Sequence, residues 1–287
     1  MGLRFLVIEG NTREDRERHA ATYGLMPSQS YAAVLGAIEP GAVCDLAFPA
    51  DEGANLPDPA GLASYDGVVL TGSALHVHRI EPAVTRQIEL MRAVYAAGVP
   101  AFGSCWGLQV GTVAAGGAVG LNPLGREVGF ARNLSPTEAG RSHPLLAGRP
   151  DAFNAPAVHL DAVSGLAPGS TVLAANRLAG VQAAEIRFRG GVFWRVQYHP
   201  EFDLAELATI LERLSDALVA EGFCRTAEDA VAYGRDLRAL HADPGRGDLA
   251  WRHGLDGQVL DPASRTTEIR NFVERRVKPE ADRRGRT

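Results

Sequence analysis

Gly98-Val99-Pro100-Ala101-Phe102-Gly103-Ser104-Cys105-Trp106-Gly107-Leu108-Gln109 is the stretch on which the reading of the chain turns. Val99 to Phe102 is a short apolar run of buried-strand length, Gly103 to Gly107 a sharp turn, and Leu108 to Ala115 a helix. Strand, glycine-flanked turn and helix make a nucleophile elbow, with Cys in place of Ser. Both glycines matter, because a side chain at either neighbour would collide with the adjoining backbone. The helix beginning just after Cys105 aims unpaired N–H groups and a partial positive charge at the sulfur, which favours thiolate over thiol. A buried structural cysteine in a glycine-rich loop would leave the same short pattern, so a second stretch is needed.

That stretch is Arg195-Val196-Gln197-Tyr198-His199-Pro200-Glu201-Phe202, at the end of another apolar run, Gly191 to Val196. It offers a histidine and a carboxylate two residues apart. An activated thiol needs a base for its proton and a third group to orient that base. Taken singly, His199 would read as a hydrogen-bonded loop histidine and Glu201 as an acid at a helix start. Together with Cys105 they read as a Cys-His-Glu triad.

The two motifs in this order resemble the class I (triad-type) glutamine amidotransferases, particularly the glutaminase domain of GMP synthetase. The resemblance covers roughly residues 3 to 222. It implies Cys105 as nucleophile, His199 as general base and acid, and Glu201 as the partner orienting His199. It implies glutamine or a γ-glutamyl amide as substrate, with no metal and no cofactor.

Working outward, Leu3 to Ile8 is a continuous apolar run, as expected of a parallel strand covered on both faces. Thr12 to Arg18 is a mixed-charge run, read as a solvated face. A short helix with a Ser N-cap is expected from Ser30 to Ile38, and a second strand from Ala42 to Phe48. Asp66 to Ser73 is a third strand ending in a tight turn. In the family a glycine-rich turn here supplies one backbone N–H of the oxyanion hole and the residue after the cysteine the other. The resemblance thus implies Gly72 or Ser73, and Trp106, as donors; Ser73 stands where the family has its second Gly.

His76-x-His78 follows. Two such histidines could meet a metal, but no third ligand of matching spacing lies nearby in sequence, and the pair is read as a polar rim of the site. Glu81 to Ala97 is an amphipathic helix, with Val84, Ile88, Met91 and Val94 on one face. Strands and helices alternate to residue 115, which predicts an α/β fold: an open, mostly parallel sheet with helices on both faces. Ligands in such sheets bind at the carboxyl ends of strands, where both the Ser73 turn and Cys105 fall.

Gln109 matches a glutamine the family keeps to hold substrate. Ala157 to Val163 resembles the family's Ser-His-Gly-Asp-Lys-Val stretch, which implies substrate contacts at Leu160 and Asp161, with Leu160 where the family usually has Gly. Val181 to Phe188 and Val192 to Tyr198 read as a hairpin delivering His199. Leu204 to Val219 is an amphipathic helix closing a domain of residues 1–223. Residues 224–287 read as a helical C-terminal extension, with a Thr226-x-x-Asp229 capping box and a helix from Arg265 to Val277. The extension could be a lid, an oligomer contact (a homo-oligomer) or a docking surface, but reads first as an ordinary packed or frayed helical extension.

A net charge of −5 gives no basic footprint for nucleic acid, and 46% hydrophobic residues allow a full core. No apolar run reaches the roughly 18 residues of a membrane span, and no signal peptide is seen. Three cysteines (Cys44, Cys105, Cys224) form no spaced pair, which fits a reducing cytoplasm and a working thiol. Neither a P-loop nor an ATP-pyrophosphatase motif is present. A synthetase receiving ammonia would therefore be a separate chain, or the protein works alone as a hydrolase. A cysteine hydrolase of the dienelactone-hydrolase kind would need an Asp between nucleophile and His, against the His-Pro-Glu placement. A non-catalytic relative would be expected to have lost Cys105, His199 or Glu201.

Overall fold

The apolar runs read above become neighbouring parallel strands. In the computed structural model, which describes residues 2–286, these are β1 (Arg4–Ile8), β2 (Val43–Ala47), β3 (Gly67–Leu70) and β4 (Ala101–Ser104). β5 (Ala118–Leu121) pairs with β8 (Asp161–Gly165) as a separate antiparallel ribbon. β6 (Glu127–Pro136), β7 (Phe153–His159), β9 (Thr171–Ala175), β10 (Ala183–Phe188) and β11 (Gly191–Val196) complete the main sheet, in the order β2-β1-β3-β4-β11-β10-β9-β6-β7. The sheet is parallel from β2 to β11 and antiparallel from β11 to β7. The expected α/β fold is borne out, with the site-bearing half parallel.

β1 shows why its run is unbroken. Phe5 and Val7 enter one core with Tyr31 and Leu35 of α2 (Pro27–Ile38), while Leu6 and Ile8 enter the other. The second core takes in α4 (Pro82–Ala97) and α5 (Trp106–Ala114). α1 (Arg13–Tyr23), α3 (Pro59–Ala63) and α6 (Glu138–Ser142) fill the connections. Since alternate side chains of a strand point to opposite faces, burial on both leaves no polar position.

After β11 come α7 (Leu204–Arg213), α8 (Ser215–Ala220), α9 (Ala227–Ala242), α10 (Gly247–His253), α11 (Gly257–Leu260), α12 (Pro262–Arg265), α13 (Thr267–Phe272) and α14 (Lys278–Arg283). α7, α9 and α10 share a third core through Leu207, Leu211, Leu237 and Leu249. The last turns do not hang outside: Ile269, Phe272, Val273 and Val277 belong to the first core, on the face also covered by α2. A π-helical turn, Val273–Val277, joins α13 to α14.

Local departures have local causes. α2 begins at Pro27, not at Ser30: proline is preset at the first helical position, and the Met26 N–H donates to Gln29 Oε1 at 2.9 Å. The mixed-charge run is the start of α1, and it is not wholly solvated. Arg16 is buried and makes a fork with Asp51 at 2.8 and 2.6 Å. The helix expected over Leu204 to Val219 divides at Leu214, whose N–H is shared between the carbonyls of Ile210 and Leu211. The Thr226 box forms as read, with Asp229 Oδ2 accepting the Thr226 N–H at 2.9 Å. Among the described residues, no helix is long and apolar enough to cross a membrane.

Candidate active site

β4 and β11 lie side by side in parallel register, Ser104 against Val196. Their carboxyl ends therefore deliver Cys105 and His199 to one place. Cys105 takes φ 50°, ψ −100°, a conformation L-residues rarely adopt, which costs about 1–3 kcal/mol. Its N–H donates to Val196 O at 2.8 Å, and its carbonyl accepts the N–H groups of Leu108 and Gln109. The glycines are needed for space. A Cβ on Gly103 would run into Arg195 and Gly107, and one on Gly107 would lie 2.9 Å from Leu70 O.

His199 Nδ1 faces Glu201 Oε1 at 2.7 Å, both side chains buried, and its ring lines the same pocket as Cys105, whose Sγ lies 3.8 Å from Val158 O. Phe202 stacks flat on the imidazole, with centroids 3.9 Å apart. Burial by itself lowers the imidazole pKa. The charge and hydrogen bond of Glu201, with Cys105 nearby, outweigh it and push the value up to about 10.

Glu201 has a second partner. Ser104 donates to Glu201 Oε2 at 2.7 Å, and Tyr31 of α2 lies 3.2 Å from the same hydroxyl. The residue before Cys105 thus holds the carboxylate that faces His199. Ser104 was not singled out in the sequence, where it reads as one more strand position.

Gly72 and Ser73 line the same pocket as Cys105 and His199. A Cβ on Gly72 would lie 2.5 Å from His199 Cε1, so the placing of the imidazole requires glycine there. Ser73 is not among the residues with positive φ, so serine there carries no left-handed strain. The turn is pinned from the end of β1. Asn11 Oδ1 accepts the Ala74 N–H at 3.0 Å, Asn11 Nδ2 donates to Gly72 O at 3.3 Å, and Glu9 Oε1 accepts from Asn11. Trp106 is fully buried, with Nε1 donating to Gln87 at 2.7 Å, which fixes the first turn of α5 beside the sulfur.

The pocket is a cavity of about 450 Å³. On one side of the Cys105–His199 pair stand Gln109, Leu160 and Asp161. Gln109 Nε2 donates to Asp161 O at 3.4 Å, so the two meet through the backbone. Leu160 lies outside the positive-φ set, and its carbonyl is taken by the Asn122 N–H. α1 and α7 supply a further part of the lining. His19 and Glu206 are buried there 3.1 Å apart, with Arg213, Ile210 and Leu214 around them. Burial raises the Glu206 carboxyl, against the pull of His19. Nothing in the sequence marked this part, because its halves are far apart in the chain. His76 and His78 sit in a turn after β3, with Asp161 beside them. The third ligand that sequence spacing did not supply therefore comes from another strand.

The family model for "Glutamine amidotransferase class-I" matches residues 46–215. The chain belongs to the class-I glutamine amidotransferase family. A γ-glutamyl-L-1-hydroxyisopropylamide hydrolase of Pseudomonas sp. is 33% identical over 98% of this chain and 96% of its own. The imidazole glycerol phosphate synthase subunit HisH of Symbiobacterium thermophilum is 33% identical over 52% of this chain and 75% of its own. Among solved structures, a Thermotoga maritima glutamine amidotransferase superposes with TM-score 0.64 at 16% identity, over 97% of this chain and 99% of its own. In this amidotransferase-family chain, the first of these likenesses runs through the C-terminal helices as well as the elbow.

Proposed function

We propose that the protein is a self-sufficient hydrolase of γ-glutamyl amides carrying a substituent on the amide nitrogen. Cys105 is the nucleophile, His199 the acid and base, and Glu201 the group that orients His199. The backbone N–H groups of Ser73, or of Gly72, and of Trp106 receive the oxyanion. The observation that carries the reading is that the oxyanion turn is already pinned within the chain, by Asn11 and Glu9. A glutaminase that waits for a synthetase would be expected to leave that turn unset. The full-length likeness to a γ-glutamyl-L-1-hydroxyisopropylamide hydrolase agrees with it.

The reaction follows from the geometry. The Cys105 sulfur attacks the γ-carbonyl carbon, and the carbonyl electron pair moves to oxygen, where each N–H donor contributes about 3 kcal/mol. Collapse of the tetrahedral intermediate breaks the C–N bond, and the imidazolium of His199 gives its proton to the departing nitrogen. His199 then takes a proton from water as the water attacks the thioester, releasing glutamate and restoring the pair. Gln109 and Asp161 hold the glutamyl end. The departing nitrogen must lie at His199, so its substituent extends toward His19, Glu206 and Ile210. A cytoplasmic setting fits three free thiols.

The second reading is a glutaminase subunit feeding ammonia to a separate synthetase, favoured by the partial likeness to the HisH subunit. Steady-state kinetics on the isolated protein separate the two. The hydrolase reading expects kcat of about 1 s⁻¹ or more on an N-substituted γ-glutamyl amide, within the range of enzymes. Rates far below about 0.1 s⁻¹ on every amide would defeat it, and a rise on adding a synthetase would establish the other reading. Cys105→Ala is expected to abolish turnover. A diazo-ketone analogue of glutamine is expected to label Cys105 and spare Cys44 and Cys224, whose thiols burial pushes up.

A further inference from the structure

The reaction proposed above leaves one motif unused, His76-Val77-His78. Val77 is buried in the second core, and the Arg79 N–H closes the turn on His76 O at 3.0 Å. With the middle residue drawn inward, the His76 imidazole lines the pocket and that of His78 lies beside it, ring centroids 5.3 Å apart. Asp161, at the start of β8, meets them there. Its Oδ2 is 2.9 Å from His76 Nδ1 and 3.5 Å from His78 Nδ1, and the three ligand atoms all lie within 4.8 Å of one another. Donors about 2.0–2.1 Å from a tetrahedral zinc ion are spaced about 3.3 Å apart. The two separations from Asp161 bracket that value.

Asp161 supplies the second observation. Its carboxylate is 3% exposed, and Oδ1 has no hydrogen-bond partner among the described residues. His76 hydrogen-bonds the other oxygen, and a buried carboxylate oxygen left unmatched is unfavourable unless a positive charge meets it. The strand end is held by its own carbonyl, which faces His159 Nδ1 at 2.9 Å, so the acid is fixed in place beside the histidines. Two imidazoles and one carboxylate suit zinc and its neighbours rather than magnesium or calcium, which prefer all-oxygen shells.

We propose that His76, His78 and Asp161 form a zinc-type divalent metal site at the mouth of the pocket, with the fourth position open to the cavity that Cys105 also lines. Binding itself does not depend on the reaction assigned above. Its effect does: a metal on Asp161 takes away the acid proposed to hold the glutamyl end, so zinc competes with substrate.

The test uses the full chain carrying Cys105→Ser, so that the pocket thiol cannot ligate. Calorimetric titration with Zn²⁺, and the visible d–d absorption of Co²⁺ displaced by Zn²⁺, are expected to show one equivalent bound. His76→Ala and His78→Ala, both changes at solvent-reachable side chains, should each weaken binding at least tenfold. Unchanged affinity in the two variants, or no binding tighter than about 1 mM, overturns the proposal. In the enzyme with Cys105 intact, Zn²⁺ is expected to raise KM with kcat nearly constant. The same rise in a His76→Ala/His78→Ala double variant would locate the inhibition at the thiol and overturn the competitive effect.

Discussion

Glu201 is read by two residues at once, and that sets what each can do. His199 keeps its proton because Glu201 lies 2.7 Å away, and Glu201 keeps its place because Ser104 donates to its other oxygen. Glu201→Gln removes the charge that holds the imidazole pKa up. The expected outcome is a kcat lower by about 10²–10⁴-fold with KM little changed, and an alkaline limb of kcat/KM moved to lower pH. Ser104→Ala should move both in the same direction by less, near the 1.5–3 kcal/mol of a hydrogen bond to a charged group. A pH–rate series on the three proteins checks this; a rise in KM alone in Glu201→Gln would make Glu201 a substrate ligand instead. Cys105, His199 and Glu201 were legible in sequence because short motifs carry them. Ser104 was not, since its meaning depends on a partner 97 residues on.

At the scale of elements, the end of the chain is tied to the base. Glu268 of α13 is fully buried, grips Arg149 through two 2.7 Å contacts, and accepts from Tyr198 OH at 2.9 Å. Tyr198 precedes His199, so the C-terminal helices support the loop that presents the His199 imidazole. Phe272 lies under Phe102 of β4, ring centroids 5.6 Å apart. Phe272→Ala is expected to cost about 3–5 kcal/mol, read as a lower urea midpoint at unchanged m. A loss below about 1 kcal/mol would mean that α13 does not share the core. The parallel strands were legible as unbroken apolar runs. The strands from β5 to β9 were not assigned from the residues alone, and β6 shows why. Its register to β7 shifts between Ala131 and Leu134, around Asn133 at φ 53°, and a bulge breaks the two-residue alternation on which strand reading depends.

For the whole molecule, the imidazole of His199 links stability to pH with a definite sign. Its folded pKa, about 10, lies above the ordinary 6.5, so the native state binds the extra proton between those values. Its contribution is complete below about pH 6.5 and is lost as pH rises toward 10. Glu185 acts oppositely. Burial would raise it, but hydrogen bonds from His143, Trp194 and Arg187 bring it down to about 2. Its contribution is present above about 4.5 and lost as pH falls toward 2. The urea midpoint should therefore be greatest near pH 5–6 and decline on both sides. A midpoint flat from pH 7 to 10 would show that His199 is not held protonated.

The parallel pairing of β4 with β11 also has a bearing on how the protein is made. A growing chain that has just passed Cys105 has an elbow with no base beside it, because the neighbouring strand begins only at Gly191. A chain that has passed Glu201 has thiol, imidazole and carboxylate, yet still lacks Glu268, which anchors Tyr198 from behind. On the roles proposed above, the order of the strands alone keeps the Cys105 thiol without its partner until His199 has emerged, and an abandoned, half-made chain carries an ordinary cysteine.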